Sequence, residues 1–271
     1  MSDLASLSQD EQWQFLADFM GVIGEKVSAA RPAPFVAPPI GPELVVVLAE
    51  WALSLYKGVL LLLRRRLPDP AQLLARTLLE DAIRLAYFRL QPEKLEELAV
   101  RWTVEALTEE RSLQLAAEHE FPVAGKFVGD PTEELEALRA KAKEKSWSTQ
   151  KLPEVKDMAK AIERPELYWV FKLYSTKVHT SRLALGSVMR TDEKGLTWLG
   201  TPGSLQDSIR VGRDSTEALI ISFFSMADLL GWEPQKEELH RLGVASHQFF
   251  DELMDAAGFA ATPPPPAEPE T

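Results

Sequence analysis

A chain of 271 residues, 45% hydrophobic and 26% charged, has the length and composition to bury a full core. Its formal charge of −11, from 41 acidic against 30 basic residues, repels phosphate, so nucleic-acid binding is possible only through local basic runs such as Arg64-Arg65-Arg66 and is not favoured. The chain has no cysteine, which excludes disulfides, thiolate metal sites and thiol nucleophiles and fits a reducing, cytoplasmic setting.

Met1 to Gln14 is polar and has no basic stretch leading into an apolar one, so no secretory signal is expected there. Ser8 followed by Glu11 has capping-box spacing, and Trp13, Leu16, Phe19, Met20 and Ile23 continue at helical period, predicting a helix over Gln9–Val27. Residues 29–42 carry Pro32, Pro34, Pro38, Pro39 and Pro42 and read as a stiff linker. The helix before it would then stand as an arm or pack on a partner.

The run Leu44–Leu63 is long enough to span a bilayer, but Glu50 and Lys57 lie inside it, so a core helix over Glu43–Arg66 and no membrane association are expected. Leu67-Pro68-Asp69-Pro70 stops that helix and starts the next, with Asp69 as N-cap, running to about Leu90. Further helices are predicted from Pro92, from Asp130 to about Lys145, over Leu152–Glu163 and over Glu166–Met189. Gly195, Gly200, Pro202 and Gly203 mark residues 191–203 as a short hairpin or irregular loop. Helices return over Leu205–Leu230, closed by Gly231, and over Gln235–Ala257; the proline-rich tail from 260 to 271 reads as disordered. Trp51, Trp102 and Trp169 fall on apolar faces and are expected in the core.

The result is an all-α chain: an antiparallel helical bundle with peripheral helices. Its parts are an N-terminal helix (1–28), a linker (29–42), a core domain (43–232), a C-terminal helix (233–259) and a tail (260–271). Amphipathic helices at both ends, with no partner evident in the sequence, suggest a homo-oligomer or another protein partner.

Polar residues interrupt two of the apolar helices. Arg76 and Glu80 are four apart and share a face, which Arg84 and Tyr87 extend. Tyr174, Ser175, His179, Ser181 and Arg182 break the run from Tyr168 to Leu185. Charge inside an apolar face costs several kcal/mol unless a partner satisfies it, so the two patches are expected to meet. Two readings stand. One is a satisfied network of Arg76, Glu80, Tyr87, Tyr174, Ser175, His179, Ser181 and Arg182 that fixes helix register. The other is a hydrolytic site, with His179 as general acid–base, Arg76 stabilising charge and Glu80 orienting either. His179 with Glu80 or Asp81 supplies too few ligands for a metal, and no cofactor motif is present.

The segment Arg76-Thr-Leu-Leu-Glu80 with Ile83, Leu85 and Tyr87, taken with Tyr174-Ser175-Thr-Lys-Val-His179-Thr-Ser181, resembles domain-of-unknown-function family 5677 over roughly residues 44–232. That resemblance implies a bacterial, all-helical fold and no particular activity. It is distantly similar to small helical ribonucleases of the HEPN type, whose Arg-then-His spacing is met here only by Arg241 and His247. Leu242 replaces the polar residue expected after that arginine. The sequence thus points first to an interaction or regulatory module, with a ribonuclease or other hydrolase as the alternative.

Overall fold

The computed structural model describes residues 4–30, 40–120, 131–178, 189–191, 197–199 and 204–258. Helices dominate: α1 Gln9–Ala29, α2 Ile40–Arg64, α3 Pro68–Arg89, α4 Leu95–Glu120, α5 Thr132–Glu144, α6 Val155–Ala161, α7 Pro165–Val178, α8 Leu205–Leu229 and α9 Glu233–Ala256. The 191–203 region contributes a small antiparallel hairpin, β1 Met189–Thr191 against β2 Thr197–Leu199, with Arg190 opposite Trp198. Met189 therefore belongs to a strand and not to the end of a long helix from Glu166. Residues 31–39 of the proposed linker and the tail, with His179, Ser181 and Arg182, lie outside the described residues, while Ile40, Gly41 and Pro42, read as linker, form the first turn of α2, where proline is tolerated.

The local signals act largely as their chemistry dictates. Ser8 accepts from the Glu11 amide, while the Glu11 carboxylate accepts from the Ser8 amide at 2.7 Å, completing the capping box of α1. Ser204 caps α8 by accepting from the Asp207 amide. Gly231, at φ +69°, takes the left-handed conformation that lets the chain turn between α8 and α9. The start of α3 differs from expectation: the helix begins at Pro68 after Leu67, which offers no side-chain cap. Asp69 sits in the first turn, where its charge favours the helix dipole.

The antiparallel pair α2 and α3, joined by three residues, packs with α8 to form the centre. Helix α3 also carries α6 and α7 on its far side, and α8 also touches α1 and α9. Apolar side chains of α1 (Leu16, Met20, Ile23, Val27) and of α9 (Phe249, Phe250, Leu253) belong to the same core as those of α2, α3 and α8. The end helices are therefore not arms. Their apolar faces cover the bundle, at about 1.5–3 kcal/mol for each large side chain fully buried. Phe19 stacks on Phe249 with ring centroids 3.6 Å apart, joining the first helix to the last. A second, smaller cluster holds α4 to α5 through Val100, Val104, Leu135 and Leu138.

Among the described helices α2 alone is long and apolar enough to cross a membrane, and 56% of its most apolar window is buried within the fold. The Tyr56 hydroxyl, deep in the bundle, donates to the Met20 carbonyl at 3.0 Å and lies 3.2 Å from the Thr216 hydroxyl, so one side chain ties α1, α2 and α8. Two tryptophans depart from the sequence reading: Trp51 is 54% and Trp169 67% exposed. Both extend an apolar stripe beyond the width that the neighbouring helices cover.

Candidate functional site

The polar patches of α3 and α7 do meet. Arg76 donates through Nε to Ser175 Oγ at 2.8 Å, and Ser175 in turn donates to the Phe171 carbonyl one turn earlier at 2.8 Å. The Arg76 guanidinium lies over the Phe171 ring, 4.8 Å from its centroid. Along α3, Glu80 accepts from Arg84 at 2.6 Å and stands 3.9 Å from Arg76, so one carboxylate is shared by the arginines a turn before and a turn after it. Tyr87 packs against the core and makes no hydrogen bond to Arg76, Glu80 or Ser175 among the described residues.

Tyr174 faces the other way. It is buried and donates to Asp214 Oδ2 of α8 at 2.5 Å. Burial pushes the Asp214 carboxyl up to about 6, although the bond from Tyr174 works against that rise. Next to Glu80, Asp81 is buried against the core with Oδ2 unpartnered among the described residues; burial lifts its carboxyl to about 7, and the Arg84 charge offsets only part of this. Three helices are thus joined by charge and hydroxyl contacts. Arg76 joins α3 to α7, and Tyr174 joins α7 to α8. No group of three or more histidine, aspartate or glutamate side chains able to hold a metal exists among the described residues.

The concave site lies elsewhere. A cavity of about 330 Å³ opens between the end of α3, the α6–α7 turn, α8 and α9, and a neighbouring one of about 110 Å³ shares Arg164, Ile220, Ile221, Gly243 and His247 with it. The two form one groove. Its floor is apolar, with Leu167, Ile220, Phe224 and Leu239 among the lining side chains, and its polar lining includes Arg89, Arg164, His240 and His247. A groove of this size with a few convergent polar groups is the usual form of a small-molecule site.

Local structure explains how those groups arrive there. Glu163 sits at φ +57°, in the left-handed region that a non-glycine residue seldom adopts, and Pro165 follows two residues later; together they break the chain after α6 and turn Arg164, between them, back toward α8. Arg164 pairs with Glu166 and with Glu217 of α8, and Glu217 lies 4.0 Å from His247 of α9. Arg89 ends α3 over the Phe224 ring at 5.1 Å; its nearest carboxylate, Asp228, is 3.9 Å away and is held at 2.6 Å by Lys236. His240 and His247, seven residues apart, lie two turns apart on one face of α9. Arg241, which shares the ribonuclease-like spacing with His247, points away from the groove to Glu238 and is well exposed.

Gly243 stands between the two histidines and lines both cavities. Glycine within a helix costs about 0.5–1 kcal/mol relative to alanine. Packing does not require it here, because a Cβ at this position would meet nothing closer than Ile220 at 3.7 Å. Gly212 is the contrast: a Cβ there would lie 3.0 Å from Met20 and 3.1 Å from Leu16, so close contact between α1 and α8 demands glycine. At Gly243 a methyl would meet only ordinary contact distance.

Sequence reasoning found Arg76, Glu80, Tyr174 and Ser175 but missed Asp214, Arg89, Arg164, Glu217 and His240. Two histidines seven apart around a mid-helix glycine were the signal available for the α9 face; nothing local marks Arg89 or Arg164.

A model described as a family of unknown function, DUF5677, matches residues 43–196, more than half of the chain. The chain belongs to this family. The DUF5677 segment ends short of the 232 that the residue patterns suggested, and α8 and α9 lie beyond it. No curated protein and no solved structure matches the chain. The Arg76–Ser175 contact falls wholly inside the DUF5677 segment. The groove is composite, with Arg89, Arg164 and Leu167 inside the match and the α8 and α9 walls outside it.

Proposed function

We propose that this DUF5677 chain is a regulatory module that responds to a small ligand, with the groove between α3, α7, α8 and α9 as its receptor site and the Arg76–Glu80–Ser175 cluster as a structural clasp. The observation that carries this reading is Gly243, a helix-weakening residue that no packing contact requires, placed in the lining of both cavities of the groove. A regulatory role draws support from the position of α8, which walls the groove and also touches α1, α2, α3 and α9. The hydrolytic alternative built on His179, Arg76 and Glu80 lacks comparable support. Arg76 and Glu80 are engaged with Ser175, Phe171 and Arg84 and line neither cavity of the groove, and His179 is outside the described residues.

The test uses a neutral apolar dye, N-phenyl-1-naphthylamine, titrated into the full chain. Saturable fluorescence gain is expected in the parent protein and its loss in Gly243→Leu, which fills the groove, with the far-ultraviolet spectrum unchanged. Equal dye binding in both proteins would remove the groove as the site.

A further inference from the structure

Resting on that reading, we infer that the occupant is a small amphipathic anion: a carboxylate or phosphate head on an apolar body, with the head at the Arg89–His240 end of the groove. The lining of the larger cavity argues for the charge. In a chain with 41 acidic residues it contains two arginines and two histidines and no aspartate or glutamate, and the carboxylate that lines the smaller cavity, Glu217, is paired with Arg164. The two arginines are not equivalent. Arg164 is committed to Glu166 and Glu217. Among the described residues Arg89 is paired only with Asp228, whose Oδ2 lies 3.9 Å from its Nε while Lys236 holds Oδ1 at 2.6 Å, and its position over Phe224 fixes the guanidinium without using the N–H donors of its two terminal nitrogens. Those donors form the planar fork that suits an oxyanion.

The apolar body follows from the floor. Leu167, Ile220, Phe224 and Leu239 line the same cavity as Arg89 and Gly243, and Gly243 adds no side chain to it. At about 330 Å³ the cavity suits a chain or ring of modest size and excludes a two-chain lipid. Carboxylate and phosphate heads present the same chemistry to Arg89, and the experiment separates them.

Octanoate, octyl phosphate, 1-octanol and octylamine are compared by displacement of N-phenyl-1-naphthylamine and by calorimetric titration of the full chain. Octanoate or octyl phosphate is expected to bind at least tenfold more tightly than octanol, octylamine weakest, and the tighter of the two acids names the head group. Arg89→Gln should remove that tenfold advantage and leave octanol binding unchanged, and His240→Gln should reduce it in part. If octanol matches the anions, or Arg89→Gln weakens every ligand equally, the anion assignment is overturned while the groove stands as a ligand site. If neither the dye nor any octyl compound binds, the receptor reading fails with it.

Discussion

Ser175 illustrates how a single hydroxyl serves two helices, accepting from Arg76 and donating to the Phe171 carbonyl. Removing it leaves the Arg76 Nε–H without its acceptor, so Ser175→Ala should cost about 0.5–1.5 kcal/mol and lower the melting temperature by about 2–4 °C. An unchanged melting temperature would show that the clasp does not hold α7 to α3. Asp81 makes a prediction in pH. Its carboxyl titrates at about 7 in the folded chain, above the unfolded value of about 4, so the folded state keeps a proton that the unfolded state has released. The stability it supplies is complete below about pH 4 and is lost as pH rises through about 7. Asp81→Asn should flatten that fall and raise stability at pH 8 on the order of 2 kcal/mol, measured by urea unfolding at pH 5 and pH 8. A pH dependence identical to the parent's would assign the effect to other groups.

Two glycines, one on α8 and one on α9, separate tight packing from ordinary contact. Gly243→Ala should stabilise the chain by up to about 1 kcal/mol, since the new methyl meets only ordinary contact distance. Gly212→Ala should destabilise it, because its methyl would press on Met20 and Leu16. Thermal melts of the two variants in parallel, moving in opposite directions, are the expected result; a destabilised Gly243→Ala would mean that α9 needs its glycine for packing after all. The helices themselves were legible from caps and period: Ser8 with Glu11 and Gly231 sit where backbone chemistry puts helix ends, while α3 begins at Pro68, one residue before its expected Asp69 cap. The pairing of α3 with α7 was legible too, because charge on the apolar face of α3 and hydroxyls on that of α7 each demanded a partner. The groove was not. Arg89 and Arg164 read locally as a helix end and a breaker, and their convergence depends on the angle at which α6, α7 and α9 cross α3 and α8, which no local pattern encodes. The exposure of Trp51 and Trp169 was missed for the same reason: period reveals an apolar face but not how much of it the neighbours cover.

The whole molecule is one core with both terminal helices built in. A chain lacking residues 1–30 loses Leu16, Met20, Ile23 and Val27 from that core and the acceptor for Tyr56 from α1. It should not fold to a cooperative state, and far-ultraviolet and tryptophan signals that coincide in a single transition for the full chain should become broad or vanish. A truncated chain that melts sharply would return α1 to the status of an arm.

One turn of α8 has a mechanical consequence. Asp214, Thr216 and Glu217 lie within four successive positions, and each addresses a different element: Tyr174 on α7, Tyr56 on α2, and Arg164 just before α7 with His247 across on α9. Twisting α8 about its axis by a fraction of a turn would loosen all of these attachments together. The rotation of the rod is therefore pinned by neighbours on α7, α2 and α9 at once.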